Sequence, residues 1–152
     1  MGMGYEYKCP DCGYNETFDL GVGFGFPEEY HKLLIKVKNG ELGEELHKLI
    51  KVYPQGEIDT DKVLAVCNEC GNIEVVTDLS FYVPKKERRK KNNYVMNNDL
   101  FINYEPIFSF PHKCKKCHGN MKIVFREGQK EINLKCPECC AALKLSEIFC
   151  WD

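Results

Sequence analysis

Residues 114–140 read CKKCHGNMKIVFREGQKEINLKCPECC, and their cysteine spacing decides how the rest of the chain is read. Cys114 and Cys117 form one Cys-x-x-Cys pair and Cys136 and Cys139 a second, with 18 residues between them. Two intervening residues turn the backbone so tightly that both sulfurs converge on one ion, with backbone N–H groups pointing at them. Two such knuckles complete a tetrahedral four-thiolate site, and this spacing is in the range expected of one. The residues between suit a hairpin. Met121 to Arg126 is strand-like, Glu127-Gly128-Gln129 supplies a turn, and Glu131 to Lys135 alternates apolar and polar side chains.

Two further pairs lie upstream, Cys9/Cys12 and Cys67/Cys70, separated by 54 residues. The insertion between them has its own pattern. Pro27-Glu28-Glu29 opens a helix with Tyr30, Leu33, Leu34 and Val37 on one face, stopped at Asn39-Gly40. A second helix is predicted from Leu42 to Tyr53, with Leu42, Leu46, Leu49 and Ile50 in register and Pro54 at its end. Acidic residues come early and lysines late in both, as the helix dipole favours. A folded insertion closes a long loop at little cost, so these knuckles are expected to meet as well.

The simplest pairing takes neighbours: Cys9, Cys12, Cys67 and Cys70 as one metal site, Cys114, Cys117, Cys136 and Cys139 as the other. An interleaved scheme, with Cys9/Cys12 sharing an ion with Cys114/Cys117, is the alternative. The adjacent scheme is preferred because the C-terminal half already holds a complete set. Three segments follow: 1–84, a metal-bound sheet with a helical-hairpin insertion; 85–111, a basic, Asn- and aromatic-containing linker; and 112–152, a second metal-bound sheet. Within the first, Ile73 to Val83 alternates as one long strand ending at Pro84. Within the linker, Leu100 to Phe110 is apolar enough to pack on a neighbour.

Tyr7-Lys8-Cys9-Pro10-Asp11-Cys12-Gly13-Tyr14 resembles the first knuckle of zinc ribbons and rubredoxins, and Cys67-Asn68-Glu69-Cys70-Gly71 resembles the matching second knuckle. Cys136-Pro137-Glu138-Cys139 completes what looks like an independent zinc ribbon. The whole layout is similar to small uncharacterised bacterial double zinc-ribbon proteins. That resemblance implies a small α+β fold of two zinc ribbons, short antiparallel sheets each holding one Zn²⁺, and no particular reaction. The rubredoxin likeness raises iron at the first site and an electron-carrier role. Against it stand the 54-residue insertion and the missing proline after Cys67.

Four thiolates leave no coordination position for water or substrate, so the expected role of the metal is structural and the protein non-enzymatic, an adaptor for another protein. No small-molecule site is read. Gly21 to Gly25 lacks the spacing of a phosphate loop, and His31, His47, His112 and His118 are expected to be surface or packing residues. The net charge of −2 conceals an asymmetry: residues 1–84 balance to −8, whereas Lys85, Lys86, Arg88, Arg89, Lys90 and Lys91, with Glu87, give +5. That run, with Tyr94 and Phe101 nearby, supports an alternative role as a nucleic-acid-binding accessory factor. Against this, the acidic N-terminal segment would repel a phosphate backbone. With no apolar run of about 20 residues and no leader-like start, a reducing cytoplasmic setting is expected, where clustered cysteines bind metal.

Two cysteines remain. Cys140 sits where Gly13 and Gly71 follow the other knuckles, so Cys139 is read as the ligand and Cys140 as a turn residue in a glycine slot. Cys140 as ligand, with a three-residue spacer, stays open. Cys150, in the strand-like run before Trp151, is expected to be a small buried apolar residue.

Overall fold

A computed structural model describes residues 2–23, 25–86, 97–129 and 132–151. It divides into two compact units, each assembled from separated stretches of chain. Unit 1 comprises Met1–Gly23, Asp61–Asp78 and Pro111–Asp152, and unit 2 comprises Phe24–Thr60 and Leu79–Phe110. This partition replaces the expected boundaries at 84/85 and 111/112. All four knuckles fall in unit 1; the helical hairpin and the described residues of the expected linker up to Phe110 fall in unit 2.

Unit 1 holds two three-stranded antiparallel sheets. In the first, β1 (Gly2–Lys8) pairs with β2 (Asn15–Leu20) on one side and with the chain's last strand, Lys144–Trp151, on the other. In the second, Lys62–Cys67 lies between Ile73–Thr77 and Met121–Phe125. Each sheet is thus a hairpin with a knuckle at its turn, plus a third strand that follows a knuckle of its own. The first strand of the hairpin is central in both, so the two sheets share one topology. Tyr5, Tyr7, Phe18, Leu20, Leu64, Phe125, Leu134 and Leu143 form one buried cluster. Within it Tyr5 and Phe125 meet edge to face at 5.1 Å, an arrangement the aromatic quadrupoles favour.

Unit 2 contains α1 (Phe26–Lys38), α2 (Glu44–Val52), β3 (Glu57–Ile58), Phe81–Pro84, a helix at Asn97–Asn103 and a strand at Tyr104–Phe108. In chain order, the strands not yet labelled are β4 (Lys62–Cys67), β5 (Ile73–Thr77), β6 (Phe81–Pro84), β7 (Tyr104–Phe108), β8 (Met121–Phe125) and β9 (Lys144–Trp151), and the third helix is α3. The helices match the sequence pattern. Pro27 lies in the first turn of α1, and Gly40, at φ +77°, ends it. Gly40 N–H donates to Val37 O at 3.0 Å and Glu41 N–H to Lys36 O at 3.0 Å, a paired closure of the last turn. Val37 and Leu46 are buried, and Leu33, Leu34, Leu49 and Ile50 pack on the same cluster with Ile58, Leu79 and Phe81. The third sheet runs in the order β3-β6-β7.

Three expectations are corrected. The alternating run 73–83 is two strands, since Leu79 adopts φ +62° and β5 and β6 belong to different sheets. Alternation reports which side chains point inward and is blind to a change of sheet. Residues 132–135 do not form a strand paired to β8; only an isolated bridge joins Lys135 to Ala142, while β8 pairs with β4. The C-terminal segment is therefore not a sheet of its own. Segment 85–111 carries α3 and β7 rather than being linker alone: Leu100 and Tyr104 are buried and Phe108 and Phe110 pack in unit 2, as their apolar character suggested, while Phe101, Ile102 and Ile107 stay exposed. No helix among the described residues is long and apolar enough to cross a membrane.

Candidate metal centres

The eight expected cysteines come together as two tetrads, but neither neighbouring pair shares one. Cys9, Cys12, Cys136 and Cys139 form the first, and Cys67, Cys70, Cys114 and Cys117 the second. The adjacent pairing is wrong, and the interleaved alternative is not what forms either; the scheme is nested. Its cause is strand pairing. β9, which follows Cys136 and Cys139, adds to β1 beside the Cys9/Cys12 hairpin, and β8, which follows Cys114 and Cys117, adds to β4.

Within each tetrad the sulfurs lie within 4.8 Å of one another. The near contacts are Cys9 to Cys139 at 3.4 Å, Cys12 to Cys136 at 3.6 Å, Cys67 to Cys117 at 3.4 Å and Cys70 to Cys114 at 3.7 Å. A tetrahedron with metal–sulfur bonds of about 2.3 Å has edges of about 3.8 Å, so one ion fits each tetrad with minor adjustment. All ten cysteines are free thiols.

The four knuckles repeat one backbone geometry. The first cysteine of each accepts at its carbonyl from the residue after the second: Gly13 at 3.2 Å, Gly71 at 3.1 Å, His118 at 2.9 Å and Cys140 at 2.9 Å. Its own N–H donates one residue further on, to Tyr14, Asn72, Gly119 and Ala141, at 2.7 to 2.9 Å. The closing residue is left-handed in every case: Gly13 φ +77°, Gly71 +71°, His118 +60° and Cys140 +64°. Cys140 therefore occupies the glycine slot and Cys139 joins the tetrad, as the sequence spacing predicts. In the third knuckle the strained residue is His118 rather than Gly119.

Backbone donors also reach the sulfurs. Lys116 N–H points to Cys114 Sγ and Gly119 N–H to Cys117 Sγ, each at 3.4 Å. The N–H of Cys12, then that of Asp11, hold the Cys9 thiol down at about 7 against the effect of burial. Those of Cys70 and Glu69 do the same for Cys67, also about 7. Ala141 N–H lowers Cys139 and Gly119 N–H lowers Cys117, yet the neighbouring thiols push both up to about 12. Four thiols crowded this closely cannot all ionise without a cation between them. Asn72, which no spacing rule singles out, aims Nδ2 at Cys114 Sγ from 3.7 Å.

The other candidates stand apart. His112 hydrogen-bonds through Nε2 to Asp78 O at 2.9 Å, and His118 is exposed. Gly21 takes φ +79° and bridges to Lys62, so the glycine-rich stretch begins as a strand end. Cys150 is exposed on β9, with Sγ 3.7 Å from Met3 Sδ, because β9 is an edge strand with an open face; the expected burial does not occur. Lys85 and Lys86 are exposed, and Lys85 donates to Ile102 O at 2.9 Å. Arg88, Arg89, Lys90, Lys91 and Tyr94 lie outside the described residues. The chain matches no family model, no curated protein and no solved structure.

Proposed function

We propose that this is a non-enzymatic zinc-binding module of two zinc-ribbon sheets, whose structural Cys₄ centres stabilise a platform for a protein partner. The repeated knuckle carries this reading: four loops with the same hydrogen bonds and the same left-handed closure supply eight thiols in two complete sets. With every tetrahedral position filled by protein, such an ion contributes folding energy rather than Lewis acidity. Each sheet has only three strands, a size at which a metal commonly replaces missing core.

Metal analysis tests it. The purified chain is expected to be colourless with about two zinc ions per molecule; a red, iron-loaded protein would defeat the zinc reading. Serine at Cys9, Cys12, Cys136 and Cys139 together should leave one zinc ion. Serine at Cys9, Cys12, Cys67 and Cys70 should leave none, because it breaks both tetrads. One ion retained by the second variant would restore the adjacent pairing.

A further inference from the structure

Unit 1 has a cleft of about 360 Å³ between the knuckles of the two tetrads. Tyr14, Glu16 and Phe18 line one wall; Glu16 and Phe18, two apart, share one face of β2, and Tyr14 immediately precedes the strand. Asn72, Ile73, Glu74 and Val75 line the other. Ile73, Glu74 and Val75 are consecutive in β5, with Asn72 just before it; consecutive strand residues share a cleft along the strand's edge, and β5 is an edge strand, paired among the described residues with β4 alone. Pro137 and Glu138 reach in from the first tetrad and Lys116 from the second.

Acidic side chains outnumber basic ones: Glu16, Glu74 and Glu138 line the cleft with Lys116, and Lys115 pairs with Glu74; two Cys₄ zinc centres would add further negative charge. Glu74 supplies the specific feature. Its side chain is only 10 % exposed. Its Oε1 accepts from Asn72 Nδ2 and from Lys115 N–H, both at 2.9 Å. Its Oε2 is buried and has no hydrogen-bond donor among the described residues. Lys115 Nζ pairs with it at 3.8 Å from a side chain that is 84 % exposed. A buried carboxylate with two donors on one oxygen and, on the other, only a 3.8 Å ion pair to an exposed lysine is one whose second oxygen a closer cationic donor would satisfy.

We infer that this cleft binds an extended segment of a partner protein that pairs with the free edge of β5 and places an arginine side chain on Glu74 Oε2. Strand addition supplies backbone hydrogen bonds and the pocket supplies side-chain selectivity. Phe18, Ile73 and Val75 cover the aliphatic stem, and Tyr14 offers a ring to the guanidinium. The inference rests on the protein-partner reading above and names the partner's chemistry.

The test uses the zinc-loaded full chain and a fluorescein-labelled peptide, Thr-Val-Thr-Arg-Thr-Val-Thr, with a citrulline peptide of the same shape and spermidine as controls. The arginine peptide should bind at low ionic strength, followed by anisotropy, and shift the amide resonances of Glu74, Val75 and Glu16. Citrulline should weaken binding about tenfold or more, as should Glu74→Gln, which keeps the Oε1 contacts and removes the charge. Glu138→Gln should weaken it less. The zinc content of both variants should stay at two, so failure here is separable from failure of the metal reading. Equal binding of the arginine and citrulline peptides, no binding of the arginine peptide, or resonance shifts elsewhere would overturn the inference. So would spermidine alone shifting the same resonances at the same concentration, which would mark a general cation site.

Discussion

Replacing Cys140 by glycine should stabilise the protein, although it deletes a cysteine one position from a metal ligand. Cys140 stands at φ +64°, where an L residue costs roughly 1–2 kcal/mol relative to the right-handed region. At the equivalent closures, Gly13 and Gly71, a Cβ would meet nothing within 4 Å, so the cost there lies in the backbone alone and not in a clash. Glycine removes that cost but adds about 0.4–1 kcal/mol of unfolded-chain freedom. The net gain is about 0.5–1 kcal/mol, or a rise in Tm of about 1–4 °C for a chain of this size. His118→Gly, at φ +60°, should gain a similar amount, and the two should add because they close different tetrads. Gly13→Ala and Gly71→Ala should lose about as much. Thermal unfolding of each zinc-saturated variant, with metal content measured alongside, provides the assay. Loss of one zinc ion from Cys140→Gly would show that Cys140 holds metal, and destabilisation with both ions retained would refute the strain argument.

Zinc uptake at pH 7 should release protons, chiefly from Cys117 and Cys139, which the neighbouring thiols push up to about 12 in the absence of metal. Because bound thiolates titrate below their unfolded value near 8.5, metal-dependent stability is full above that pH and is lost as pH falls through the bound value, measurable by zinc release during acid titration. Asn72→Ala removes the side-chain donor to Cys114 Sγ and should weaken the second tetrad by about tenfold or more. Competition with a chromogenic chelator reads this, and the first tetrad should be unaffected. Leu46→Ala empties a buried position in unit 2 and should cost about 2–5 kcal/mol while leaving two zinc ions bound, checked by denaturant unfolding and metal analysis.

The eight clustered cysteines were legible in the sequence because a knuckle is a local object: two residues between cysteines and a left-handed residue after them determine its shape. The glycine slot at Cys140 could be read for the same reason, as could α1 and α2, whose periodicity and end signals lie within each helix. The pairing of knuckles was not legible, because it depends on which distant strands join. Residues 132–135 continue an alternating pattern like that of β8, yet they make only an isolated bridge, Lys135 to Ala142, while β8 pairs with β4. Apolar content in 97–110 signalled packing without saying where.

Nesting also explains why the loops between knuckles carry a unit of their own. The chain leaves the first tetrad at Cys12 and reaches the second at Cys67, then leaves it at Cys70 and returns at Cys114. Of the third sheet, β3 comes from the first of these excursions and β6 and β7 from the second. Each excursion is a long loop whose closure opposes assembly of the tetrads. Pairing β3 with β6 ties the two together and shortens both. Unit 2 therefore lowers the entropic cost of bringing four separated knuckles into two tetrads, whatever surface it also offers.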